Sequence, residues 1–198
     1  MSDIKPNFIE TKNKSDRNGI VRGINGRVIY MNGKEKTISA KTFYGNKEIT
    51  HVSLPKNITE IESKAFWNCK NLASVNIPDS VRSIGEWAFG LCESLEYIDI
   101  PQSVKTIGKS VFGLCYSLKT ITIPDGVGEI AALTFHMCKS LERVSIPKSV
   151  TEIGACAFLH CQSLANVYYG GTEDEWKKIK IGKENDFLEK AILHFEKQ

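Results

Sequence analysis

No apolar run in the 198 residues approaches the roughly 18 that a membrane-spanning helix needs. Six cysteines are too few for a disulfide-built domain of this length. Charge of one sign is scarce as well. Lys plus Arg number 26 against 23 Asp plus Glu, a formal charge of +3, too mild to mark a nucleic-acid or membrane-surface partner. Met1 to Gly19 contains no apolar h-region, so no secretory signal is visible and a cytoplasmic location is expected. Catalytic fingerprints are missing too: there is no Walker loop, no GxSxG and no HExxH. His51, His136, His160 and His194 fall at different places and form no Ser-His-Asp or Cys-His arrangement. The expectation is a non-enzymatic chain without a cofactor. With 41% apolar and 25% charged residues it is a globular protein, long enough to bury a core.

What is present is a repeat. Phe43, Phe66, Phe89, Phe112, Phe135 and Phe158 are each 23 residues apart. Cys69, Cys92, Cys115, Cys138 and Cys161 keep the same period, as do Pro55, Pro78, Pro101, Pro124 and Pro147. Units run over 54–76, 77–99, 100–122, 123–145 and 146–168. A weaker one at 31–53 keeps Ile38, Phe43, Ile49 and Val52 but has Asn46 in place of cysteine. A period of this length is the mark of a solenoid.

Each unit reads as three pieces. L-x-x-I-x-I-P, as in Leu95 to Pro101, alternates like a strand and is ended by a proline that lacks an N–H. V-x-x-I-G, as in Val81 to Gly85, is a second extended piece. A helical turn then places Ala88, Phe89 and Cys92 on one buried face. One unit buries too little to stand alone, so coils must stack Phe on Phe at about the 4.8 Å strand spacing.

The organisation expected is a polar tail and N-terminal β-hairpin cap over 1–30, six repeats over 31–168, and a helical and strand cap over 169–198. Asn25-Gly26 and Asn32-Gly33 are hairpin-turn pairs among the apolar residues Ile20 to Tyr30. Thr172 to Glu175 is a capping box ahead of Trp176, Gly182 is a stop, a second helix covers Asn185 to Ala191, and Ile192 to Phe195 is a last strand. Trp176 reads as a plug over the last coil rather than a binding residue.

The unit IPxSVxxIGxxAFxxCxSLxxIxI resembles the BspA-like, treponemal-type leucine-rich repeat over about residues 31–195. The resemblance implies a right-handed α/β solenoid with a parallel sheet on one face and short helical turns on the other, capped at both ends. It implies recognition of a protein or other macromolecule. It also supplies an alternative location, since such repeats are common in bacterial surface proteins and occur in some parasitic protists.

The cysteine column carries no C-x₂₋₄-C pair for zinc, and its Cβ spacing exceeds the ~3.8 Å that a disulfide prefers. The expectation is reduced thiols packed as small apolar groups. Cys156 alone is out of register, with Lys64, Trp87, Ser110 and Leu133 at the equivalent positions. A metal site from Cys156, His160, His136 and Cys138 has no motif behind it.

The outward positions of the strand vary from unit to unit: Glu96, Lys119 and Glu142 in a first column, Tyr97, Arg143 and Asn166 in a second, Asp99 and Tyr168 in a third. A recognition surface needs such variation, and a plain solvated face also tolerates it. Tyr97, Arg143 and Tyr168 are of hot-spot type. Trp67, Trp87, Tyr116, Leu133 and Leu159 make a rival surface on the turn side, suited to weak self-association.

Overall fold

The computed structural model describes residues 20–22, 27–30 and 35–195. The expected polar tail and both Asn-Gly turns lie outside the described residues. β1 (Ile20–Arg22) and β2 (Arg27–Tyr30) pair antiparallel, with Val21 opposite Ile29. The described residues that follow form stacked coils whose strands line up in two parallel ladders.

The first ladder forms the broad sheet face. β2 runs beside β4 (His51–Ser53) and then β6 (Ser74–Asn76). A second block joins β9 (Thr120–Thr122), β11 (Arg143–Ile146), β13 (Asn166–Tyr169) and β15 (Ile192–Phe195). The other ladder is made of two-residue strands from the V-x-x-I-G segments. β3 (Thr37–Ile38), β5 (Glu60–Ile61), β7 (Ser83–Ile84) and β8 (Thr106–Ile107) form one block. β10 (Glu129–Ile130), β12 (Glu152–Ile153) and β14 (Lys180–Ile181) form the next.

Both ladders are interrupted once. Leu95 to Pro101 alternates as expected, with Ile98 and Ile100 buried and Tyr97 and Asp99 exposed, yet it joins no ladder. This segment bonds to the next coil only at Lys119 N–H to Glu96 O, 3.1 Å. Alternation reports which side chains are buried and does not by itself report pairing. In the second ladder the gap falls between β8 and β10. Gly85, Gly108, Gly154 and Gly182 all lie against the backbone of the preceding coil, and a Cβ on Gly108 would come 2.8 Å from Glu86 N. Ala131 holds that register position at the gap. Glu62 also carries a Cβ there, and its carboxylate accepts the Ala40 N–H at 2.8 Å.

The turn face corrects one expectation. Among the described residues it contains no helical turns, because two residues per coil sit in the left-handed region: Trp87 and Leu91, Ser110 and Leu114, Leu133 and Met137, Cys156 and His160. A left-handed non-glycine residue costs roughly 1–2 kcal/mol. The conformation is retained because it turns alternate N–H groups toward the next coil. Trp87, Phe89 and Leu91 donate to the carbonyls of Lys109, Val111 and Gly113, at 2.9–3.0 Å, and the pattern repeats at each step. The turn face is thus a third hydrogen-bonded ladder. The only α-helices among the described residues are α1 (Glu173–Trp176) and α2 (Asp186–Lys190), both past the repeats.

Inside the three ladders the phenylalanines form a continuous stack from Phe43 to Phe158, with neighbouring ring centroids 4.8–5.8 Å apart. Beside it, each cysteine does more than fill space. The thiols of Cys69, Cys92, Cys115, Cys138 and Cys161 donate to the carbonyls of Phe43, Phe66, Phe89, Phe112 and Phe135, at 2.9–3.3 Å. Burial pushes Cys69, Cys115 and Cys161 up to about 12, and Cys92 and Cys138 rise for the same reason.

The sequence period stops at Tyr168, but both main ladders continue one step further. β14 joins β12 and β15 joins β13, so the cap is a degenerate seventh coil. Gly182, expected as a helix stop, sits in the glycine register of that coil. Asn185, 1% exposed, closes the turn ladder: its Oδ1 accepts the Phe158 N–H at 3.0 Å, and its Nδ2 donates to Gly154 and Gly182 carbonyls. The capping box at Thr172 and Glu175 is formed. Trp176 is buried against Tyr169, ring centroids 5.2 Å apart.

Replacing Gly108 with alanine should force the Cβ into the preceding coil and cost about 1–3 kcal/mol. An unchanged urea midpoint would refute the close approach. The thiol column predicts an alkaline limit. The folded thiols hold their protons above the value of the unfolded chain, so their stabilisation is complete at low pH and lost as pH rises. Each removes about 1.4 kcal/mol per pH unit once unfolded thiols ionise, above roughly pH 8.5. The melting temperature should fall between there and about pH 12. Cys92→Ser should make that fall shallower.

Candidate functional site: the sheet face

Outward side chains of the first ladder lie in columns fixed by register. Arg143 stands beside Asn166, which stands beside Ile192; Ser145 stands beside Tyr168, which stands beside His194. Because the inward residues Val144, Val167 and Ile146 are buried in the core, these side chains have no other direction to take.

Two clusters result. In the first, Lys119 Nζ meets Glu96 Oε2 at 2.6 Å and lies 5.6 Å from the centre of the Tyr97 ring. The hydrogen bond to Glu96 raises the Lys119 ammonium above its ordinary value. Tyr97 is 55% exposed. In the second, the Tyr168 ring is stacked on His194, centroids 4.4 Å apart and planes 10° off parallel, while the Arg143 guanidinium lies 5.9 Å from the ring centre. His194 Nε2 and Asn166 Oδ1 are 2.8 Å apart. The residues picked from the sequence thus separate into Glu96, Tyr97 and Lys119 on one part of the face and Arg143, Asn166 and Tyr168 on another. Asp99 and Glu142 are exposed and carry no ion pair among the described residues.

Sequence reasoning missed His194 as a site residue. The signal was available: Ile192 to Phe195 alternates as a strand, and continuing the ladder by one coil places His194 against Tyr168. It also missed a groove of about 290 Å³ at the end of the same strands. Ile123, Ile146 and Tyr169 are buried along it, Tyr168 and His194 stand at one side, and Gln102 and Asp125 close it from the loops after the strands. Gln102 and Asp125 hold the same place in successive units, the residue after Pro101 and Pro124, and a repeat analysis passes over that place because its residue type changes from unit to unit.

The turn side is a poorer surface than expected. Trp67, Trp87, Tyr116, Leu133 and Leu159 are all half-buried. A Cβ on Gly90 would lie 2.5 Å from the Trp87 ring and 3.1 Å from that of Trp67, so the indoles fold down into the space this glycine leaves. Tyr44 stacks on Trp67, ring centroids 4.6 Å apart. Tyr116 is covered by Lys139 Nζ, 5.3 Å from its centre. His136 and His160 have ring centroids 6.2 Å apart, and burial, then the neighbouring imidazole, lowers His136. No group of three His, Cys, Asp or Glu among the described residues could hold a metal ion. Cys156 Sγ lies 3.6 Å from Glu184 Oε2; partial burial and that carboxylate raise the thiol.

Brief alkylation at neutral pH should therefore label Cys156 first, more slowly than a free peptide thiol, and leave the other five unmodified. Peptide mapping by mass spectrometry checks this, and early labelling of Cys92 or Cys115 would overturn the buried column.

Comparison with known proteins places the fold. The BspA type leucine rich repeat region matches residues 36–165 in six copies. A leucine rich cell surface protein of Faecalibacterium prausnitzii is 35% identical with a TM-score of 0.67; the match covers 81% of this chain and 40% of that one. The leucine rich repeat protein of T. pallidum is 29% identical with a TM-score of 0.71, covering 80% and 73%. A leucine-rich repeat protein of Eubacterium ventriosum, 24% identical, shares the fold with a TM-score of 0.59. No curated protein matches the chain. No helix among the described residues is long and apolar enough to cross a membrane. Six matched copies over a stack of coils make this chain a member of the BspA type leucine-rich repeat family.

Proposed function

We propose that the chain is a non-enzymatic recognition module whose sheet face binds another protein. One observation carries the reading: of the four exposed large hydrophobic residues among the described residues, Tyr97, Tyr168 and Ile192 stand on the sheet face and Tyr44 is on the turn side. Tyrosine and arginine standing together on one face are the residue types enriched at binding hot spots. The anchors are Tyr97, Arg143 and Tyr168, with Glu96, Asp99, Lys119, Glu142 and Asn166 setting polarity around them. Paired strands hold Arg143, Asn166 and Tyr168 in fixed columns, which lowers the ordering cost of binding there, while Tyr97 stands on the segment that joins no ladder. The name of the F. prausnitzii relative supports the cell-surface alternative over the cytoplasmic expectation.

A second reading, self-association through the turn face, rests on Tyr44, 47% exposed and stacked on Trp67. Sedimentation at micromolar concentration separates the two: the sheet-face reading expects a monomer and the turn-face reading a dimer that Tyr44→Ala dissolves.

The direct test replaces Tyr97, Arg143 and Tyr168 together with alanine and measures affinity for a partner captured from the native cell. Binding should weaken by at least about thirtyfold. Stability should change by less than about 1 kcal/mol per site, because all three point outward. A triple variant that binds as the parent does places the site elsewhere.

A further inference from the structure

We infer that the groove beside Tyr168 seats a basic side chain, arginine or lysine, of an extended partner segment lying along the sheet face. This rests on the sheet-face reading and gives it a chemistry. The groove is apolar at its base, where Ile123 and Ile146 are 2% and 1% exposed. Tyr168 and His194 offer ring surface at its side, which suits an aliphatic stem or a guanidinium plane. A single lining residue carries a full charge, and it is the acid Asp125.

The Asp125 carboxylate makes no ion pair among the described residues, although its backbone is fully engaged. Its N–H donates to Gln102 Oε1 at 2.8 Å, and its carbonyl accepts from Lys105 Nζ at 2.8 Å. Lys105 also donates to the Gln102 carbonyl and does not line the groove. The loop carrying the acid is thereby fixed while the acid itself is left for a ligand.

Charge on the wider face points the same way. From Thr50 to His194 the outward columns and the groove carry Glu96, Asp99, Asp125 and Glu142 against Lys119 and Arg143. Lys119 is already neutralised by Glu96, and Arg143 lies against the Tyr168 ring. The face is net acidic on a chain of net charge +3, which favours a basic occupant over an acidic one.

The test uses the full chain, labelled with ¹⁵N, and four blocked pentapeptides Ala-Ala-X-Ala-Ala in which X is arginine, lysine, norleucine or glutamate. Millimolar arginine and lysine peptides should shift the amides of Ile123, Tyr169 and Gly170. Asp125→Asn should weaken them by about threefold to fivefold, the scale of one exposed charge pair, as should added salt. Norleucine should bind more weakly, and glutamate should leave these amides unmoved. Equal binding of norleucine and lysine, shifts that map elsewhere, no shift with any peptide, or indifference to Asp125→Asn each overturns the inference. Asp125 is not among the three anchors. Failure here with loss of partner binding in the triple variant leaves the sheet-face reading standing. Success here with an unaffected triple variant refutes that reading and keeps the groove.

Discussion

Each coil of this protein is too small to hold itself together, and the main-chain hydrogen bonds that pass from coil to coil are what the rest of the structure depends on. They run on three sides of the stack. Two ladders are ordinary parallel strands. The third, on the turn face, exists because two residues in each coil accept left-handed backbone angles. The phenylalanine stack and the cysteine column fill the space these ladders enclose, and each thiol ties its coil to the carbonyl of the preceding phenylalanine. Asn46 stands in the cysteine position of the first coil. There its Oδ1 accepts the Glu48 and Ile49 N–H groups instead.

That dependence explains the glycines and the cap. Gly85, Gly108, Gly154 and Gly182 let successive backbones approach; the ladder opens at Ala131 but stays closed at Glu62, so a Cβ at that position does not by itself open it. At the C-terminal end, Asn185 substitutes a side-chain amide for the carbonyl that a further coil would offer to Phe158. β15 then extends the sheet face by one strand and brings His194 beside Tyr168.

Much of this was legible in the residues. The period of 23, the inward column at Phe89 and its equivalents, the capping box at Thr172 and the strand at Ile192 to Phe195 follow from spacing and local chemistry. The turn face was misread because Ala88, Phe89 and Cys92 have helical spacing, and spacing alone cannot distinguish a helix from linked turns with left-handed residues such as Trp87 and Leu91. The interruption at Tyr97 was invisible for a related reason: Leu95 to Ile100 has the same alternation as its paired neighbours. At the candidate site, Tyr168 and Arg143 were readable as outward residues. Their stacking with His194 depends on a cap that does not share the repeat, and the groove that Asp125 closes depends on the variable residue after each repeat proline.

Native-state hydrogen exchange of the free protein tests the coil-to-coil account most directly. Phe89, Phe112 and Phe135 donate across the turn face to Val111, Thr134 and Ala157, while Tyr97 to Asp99 join no ladder. The account predicts that the three phenylalanine amides exchange among the slowest in the chain, and that the amides of Tyr97 and Asp99 exchange far faster than their counterparts Arg143 and Ser145. Fast exchange at the phenylalanines, or equal protection of Tyr97 and Arg143, would contradict it.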